Sequence, residues 1–102
     1  MAAKILVLYA QPENPAAFDK YYFSTHIPLV RKIPHLREVM FSAGAPTALV
    51  GAAPYLITEL NFDSMSELQE AMSSPEGQAT ANDVPNFASG PTILIYETRL
   101  DG

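Results

Sequence analysis

No cysteine occurs among the 102 residues, and that absence removes several chemistries at once. A disulfide framework, a thiolate nucleophile and a Cys-ligated zinc or iron–sulfur centre are all excluded. Such a chain suits a reducing compartment, so a cytoplasmic location is expected. Positive charge is also scarce: 6 Lys and Arg stand against 11 Asp and Glu, a formal net charge of −5, with no basic run. Nucleic acid and anionic membrane both require clustered cations to displace counterions, so neither is an expected partner. Long hydrophobic runs are missing too. The longest, at residues 5–9 and 93–96, fall far short of the roughly 20 residues that span a bilayer. Gln11, Pro12 and Glu13 follow the first run where a signal peptide would need a longer apolar region. The chain has no Gly-rich phosphate loop, no His-Glu-x-x-His, no nucleophile elbow and no carboxylate cluster at metal-ligand spacing. Neither a metal nor a nucleotide cofactor is expected.

What is present is apolar. Hydrophobic residues make up 48% and charged residues 17% of a chain long enough for one core only. Small domains have little interior, so part of this apolar surface is expected to lie against a partner.

Residues 4–9 are β-branched and aliphatic and read as a strand buried on both faces. Asn14 is a helix cap and Pro15 suits the first helical position. Phe18, Tyr22, Thr25, Leu29 and Ile33 then recur at spacings of three and four, one stripe of a helix. Pro28 removes the hydrogen bond to the carbonyl of Ser24, so the helix should kink or restart near Ile27 before Pro34 ends it. Residues 36–41 read as a strand, 42–54 as a loop able to rim a pocket, and 55–62 as a third strand. Ser64 and Glu67 form a capping box ahead of a helix with Met65, Leu68 and Met72 on one face. Ser74-Pro75 starts a short further helix that Pro85 ends, and 92–98 is the last strand. The order β-α-β-β-α-β gives an α+β, ferredoxin-like domain over residues 1–102, a four-stranded antiparallel sheet with helices on one face. The first and last strands are apolar on both faces, yet the helices cover only one. The expected answer is a homodimer, two sheets packing face to face into a barrel.

His26 falls at the inner edge of the broken helix, where unpaired carbonyls favour a cation. Two readings fit this position: a structural histidine bonded to a backbone carbonyl at the kink, or an acid–base group in a pocket. Tyr22 points inward, as a packed tyrosine with a bonded hydroxyl or as a donor to a substrate oxygen; Tyr21 does not point clearly inward. Asp83 is a turn or cap aspartate or a ligand contact. His35 reads as an exposed turn residue, and Glu59 and Glu97 as charges guarding strand edges.

The segment Phe18-Asp-Lys-Tyr-Tyr-Phe-Ser-Thr-His26-Ile-Pro28-Leu29-Val-Arg-Lys-Ile33, with Ser73-Ser-Pro-Glu-Gly-Gln78 and Asp83-Val-Pro-Asn-Phe87, resembles the EthD family over nearly the whole chain. That family is named for an ether-degradation gene cluster and belongs to the dimeric α+β barrel superfamily. Fungal relatives are linked to polyketide tailoring, and similar barrels include muconolactone isomerases, antibiotic-biosynthesis monooxygenases and haem-handling proteins. The resemblance implies a dimeric barrel with His26 facing a ligand cavity. Taken together, His26 is the candidate catalytic residue, and Phe18, Tyr22, Leu29, Asp83 and Phe87 are candidate ligand contacts. The expected activity is cofactor-independent acid–base chemistry on a small apolar carbonyl or aromatic metabolite in catabolism or secondary metabolism. The alternatives are a non-catalytic protein that binds a small hydrophobic molecule and, third, a haem binder through His26.

Overall fold

A computed structural model describes residues 1–101. The elements follow the order β1 (Ala3–Tyr9), α1 (Pro15–Tyr21), a π-helical turn (Tyr22–His26), α2 (Ile27–Val30), β2 (Glu38–Phe41), β3 (Leu56–Phe62), α3 (Met65–Ser73), α4 (Pro75–Asp83), a 3₁₀ turn (Val84–Asn86) and β4 (Thr92–Glu97). The four strands form one antiparallel sheet in the order β2-β3-β1-β4. This is the expected ferredoxin-like α+β arrangement, with β1 one residue longer than expected and the other three strands shorter by one or two residues.

Alternation along β1 sets the inside of the molecule. Ala3, Ile5, Val7 and Tyr9 are buried beneath the helices, while Lys4, Leu6 and Leu8 on the other face are only half-buried. The expectation that both faces of β1 are buried therefore holds for one face. The pairing register places Ile93 and Ile95 opposite Val7 and Ile5, and Leu94 and Tyr96 opposite Leu6 and Lys4. β4 is one of the two edge strands, beside the helical layer that packs on β1 and β3. As a result Ile93, Leu94, Ile95 and Tyr96 are 52, 47, 53 and 40% exposed, on both faces at once.

The break at Pro28 takes an unexpected form. The N–H of Ile27 bonds the carbonyl of Tyr22, five residues back, and the chain passes through a π-helical turn with every residue still right-handed. A proline without an N–H leaves an acceptor unserved, and a one-residue shift of the bonding frame accommodates it without ending the helix. The extra residue rotates everything beyond it. The buried stripe runs Phe18, Tyr22, His26, Ile27, Val30 and Ile33, whereas Thr25 is exposed and Leu29 is half-buried. The expected stripe through Thr25 and Leu29 is corrected for that reason.

Asn14 Oδ1 accepts the N–H of Ala17 at 3.1 Å and caps α1 as expected. Ser64 Oγ accepts the N–H of Glu67 at 3.1 Å, but the reciprocal half of the capping box is not made, and Glu67 Oε2 is buried without a partner. Ser64→Ala is therefore expected to cost about 1 kcal/mol, read as a lower urea midpoint with an unchanged slope; no shift would show that the bond is idle. Ser74 joins α3 to α4, its hydroxyl accepting the N–H of Gly77 at 3.0 Å. The two helices meet so closely there that Gly77 is buried against the backbone of Ala71 and Met72. This junction sets the course of α4, and hence the position of Asp83 at its end.

Candidate active site

α1 and the π turn bring Tyr21, Tyr22 and His26 over the sheet, and α4 with the 3₁₀ turn brings Asp83 and Asn86 to meet them. On a regular helix Tyr21 and His26, five residues apart, would differ by about 140° around the axis. The π turn closes after five residues and returns them to one side. Both reach the same carboxylate: His26 Nδ1 lies 2.9 Å from Asp83 Oδ2, and the Tyr21 hydroxyl donates to Asp83 Oδ1 at 2.7 Å. Asn86 Nδ2 also donates to Oδ1, at 3.0 Å.

His26 is 3% exposed. Its ring stacks on Tyr22, with centroids 5.5 Å apart and planes at 25°, and meets Phe87 at 4.5 Å. Burial among these rings lowers its pKa below the ordinary 6.5, and the neighbouring Asp83 opposes that only in part. Burial also works against ionisation of Asp83, but bonds from Tyr21, Asn86 and His26 outweigh it and hold the carboxyl below the usual 3.8. The pair is thus an ionised carboxylate beside a neutral imidazole. An acceptor at Nδ1 fixes the proton there and leaves the lone pair on Nε2. Nε2 makes no hydrogen bond among the described residues. That is the arrangement of an oriented general base.

Tyr22 is 1% exposed and its hydroxyl is spent on Thr58 Oγ1 at 2.6 Å, with burial raising its pKa. It packs and stacks; its hydroxyl does not face an opening. Phe18, Tyr22, His26, Asp83 and Phe87 form one cluster. Leu29 does not join it, since the π turn sends its side chain toward α4, beside Lys32, Pro75, Glu76 and Ala79. A cleft of about 670 Å³ opens next to the cluster, between residues 10–14 and 86–89, with Phe18, Tyr21 and Phe87 in its wall. None of residues 42–54 lines it, so the expected rim role falls to other segments. His35 sits in a turn at φ 66°, its Nε2 3.4 Å from Glu70, away from the cluster. Glu59 pairs with Lys4 at 2.6 Å on the open sheet face.

The backbone carbonyl anticipated as the partner of His26 is replaced by a carboxylate 57 positions away. Tyr21 and Asn86 were not legible as site residues. The signal for Tyr21 is its five-residue separation from His26, which carries meaning only once the π turn is known.

The pair makes acid sensitivity a stability property. A histidine whose folded pKa is depressed contributes stability above its unfolded value, near 6.5, and loses it as pH falls through the folded value. The depressed Asp83 adds a second loss lower down, below about 3.8. Wild-type thermal midpoints should therefore fall as pH drops below about 6.5, and His26→Gln should flatten that limb. A midpoint that rises from pH 7 to pH 5 would contradict the neutral imidazole.

This geometry belongs to a chain whose residues 10–91 match the family model described as the EthD domain. The chain belongs to the EthD family. An uncharacterized 11.0 kDa protein of Rhodococcus erythropolis is 42% identical over 95 residues, spanning 91% of this chain and 90% of that protein. A crystal structure of an EthD family protein from Bacillus halodurans is 39% identical with a TM-score of 0.87, covering 97% of this chain and 100% of its own. A hydroxynitrile lyase from Passiflora edulis shares the fold at 14% identity and a TM-score of 0.70, over 99% of this chain and 95% of the lyase. In this EthD-family chain no helix among the described residues is long and apolar enough to cross a membrane.

Proposed function

We propose that this EthD-family protein is a cofactor-independent acid–base catalyst acting on a small, mostly apolar carbonyl or aromatic compound. The observation that carries this reading is the Asp83–His26 pair, whose Nε2 has no protein partner inside a shell of aromatic rings. His26 Nε2 takes a proton from a substrate carbon or hydroxyl, and the ionised Asp83 stabilises the imidazolium that results. Return of the proton to the same atom is a proton exchange and to a neighbouring atom an isomerisation; where the bond to a leaving group breaks instead, the imidazolium gives that group the proton and the step is an elimination. The lyase of Passiflora edulis is an example of an enzyme on this fold. A panel of enolisable ketones and phenols in D₂O, followed by proton NMR without added metal or cofactor, tests the reading. Exchange of an activated hydrogen that depends on His26 is expected; no acceleration of any member over buffer would overturn it.

The active unit in this proposal is a homodimer. Burying apolar area contributes about 25 cal/mol per Å², and on the open face of the sheet β4 leaves Leu94 and Tyr96 at 47 and 40% exposure beside the half-buried Leu6 and Leu8, a cost that a second sheet removes. Sedimentation is expected to give twice the chain mass at micromolar concentration, and Leu94→Glu to give the single chain. A wild type that sediments as one chain would refute the dimer.

A further inference from the structure

We infer that residues 43–54 form an arm with which each copy of the dimer clasps the other, Leu49 and Val50 seating on the free edge of the partner's β4 and closing the partner's cleft. The inference rests on the homodimer proposed above. The segment leaves the sheet after Ser42, whose N–H bonds the carbonyl of Ile57 at 2.9 Å, and returns at Tyr55, whose N–H bonds the carbonyl of Tyr9 at 2.7 Å. Between those points no backbone hydrogen bond begins or ends among the described residues. The segment holds no charged side chain, and Leu49 and Val50 at its tip are 98 and 95% exposed. Adjacent branched apolar side chains held out of contact with their own chain form a surface for another. Its shape is set in advance, since Gly44 and Gly51 bracket the tip at φ 73° and 83° and Pro46 and Pro54 restrict the backbone beside them.

A second copy is the occupant because the open sheet face alone makes too small an interface. No strand exceeds 7 residues. Four such strands, about 4.8 Å apart, present an open face of roughly 450 Å², so two copies bury about 900 Å² through their sheets. Stable interfaces bury about 1,200–2,000 Å² in total. Two apolar arms, one from each copy, supply the remainder.

Charge decides where the arm lands. Two identical sheet faces meet about a two-fold axis that runs either across the strands or along them. Across them, each arm comes over the far end of the partner's β2 and β3, where Arg37 donates to Asp63 at 2.8 Å. An uncharged arm would strip water from that ion pair and return no bond to it. Along them, β2 stands over the partner's β4 and the arm meets Ile93 and Ile95, which are 52 and 53% exposed on the helix side of the sheet. Six extended residues reach about 20 Å, enough to cross the roughly 10 Å between packed sheets and pass the strand edge. The cleft lies at this same end of the sheet, since Ala10 in its wall follows β1 and Ser89 stands just before β4. The arm therefore gives the partner's cleft an apolar wall that the partner's own residues 42–54 do not supply.

The chain has no cysteine of its own, so introduced pairs report proximity cleanly. Val50→Cys combined with Ser89→Cys, treated with a short bismaleimide, is expected to run at twice the chain mass on a denaturing gel, and Val50→Cys combined with Asp63→Cys at the single chain mass. Leu49→Ser with Val50→Ser is expected to raise the dimer dissociation constant at least tenfold in sedimentation. The single chain should keep its circular dichroism, because side chains 98 and 95% exposed hold nothing in place within it. A wild type that sediments as one chain would remove the dimer and the clasp together. A dimer that forms no link through Ser89, links through Asp63, or keeps its affinity in the serine variant would overturn the clasp alone and leave the dimer and the acid–base reading standing.

Discussion

His26→Gln is expected to lower turnover by roughly 10²–10⁴-fold, the range that a positioned general base contributes, while leaving the fold intact. The choice of glutamine follows from the surroundings. Its carboxamide N–H can donate to Asp83 Oδ2, the bond that Nδ1 makes at 2.9 Å in the parent, so no buried carboxylate is left without a partner. Alanine would confuse the result, because a 3% exposed side chain would be replaced by a void and the bond lost, at a cost of about 1–3 kcal/mol. Asp83→Asn supplies the companion measurement. An asparagine amide facing Nδ1 favours the opposite tautomer and places the proton on Nε2, so activity should fall although every ring stays in place. The two losses should not add, since both variants disable the same lone pair. Rates measured on any substrate identified by exchange decide the matter, and a His26→Gln protein with parental activity would end the assignment.

Gly77→Ala is expected to destabilise the protein by about 3 kcal/mol, at the upper end of the usual range for forcing an extra methyl into a packed site. A Cβ at this position would collide with the carbonyl oxygen of Ala71 and lie 2.9 Å from Met72 Cα. Both are backbone atoms, which do not yield as a side chain would. Relief requires α4 to move away from α3, and Asp83 is the last residue of α4. The variant should therefore lose stability and loosen the His26–Asp83 pair together, with the histidine pKa moving when followed by NMR. Differential scanning calorimetry measures the first effect. A parental melting profile would show that the junction has slack.

The sequence was a good guide wherever local rules govern. Asn14, Pro15 and Ser64 mark their helix starts because capping bonds span three residues. The β-branched, aliphatic run of β1 and the apolar character of β4 located these two strands. Legibility failed at Pro28. A proline announces a break but not its form, and a kink, a restart and a π turn all satisfy its missing donor. Choosing the π turn rotated the downstream residues, placed Val30 inside where Leu29 was expected, and brought Tyr21 to the same carboxylate as His26.

The sequence by itself determined the element order, the family and the inward position of His26 on the broken helix, because each depends on residue type and spacing within a short stretch of chain. The tertiary structure alone decided that Asp83, and not a backbone carbonyl, holds that imidazole, since the pair spans 57 positions and depends on where α3 and α4 dock. Whether a histidine at a helix edge is structural or basic is set by what faces its two nitrogens, and side chains brought from another part of the chain supply that answer.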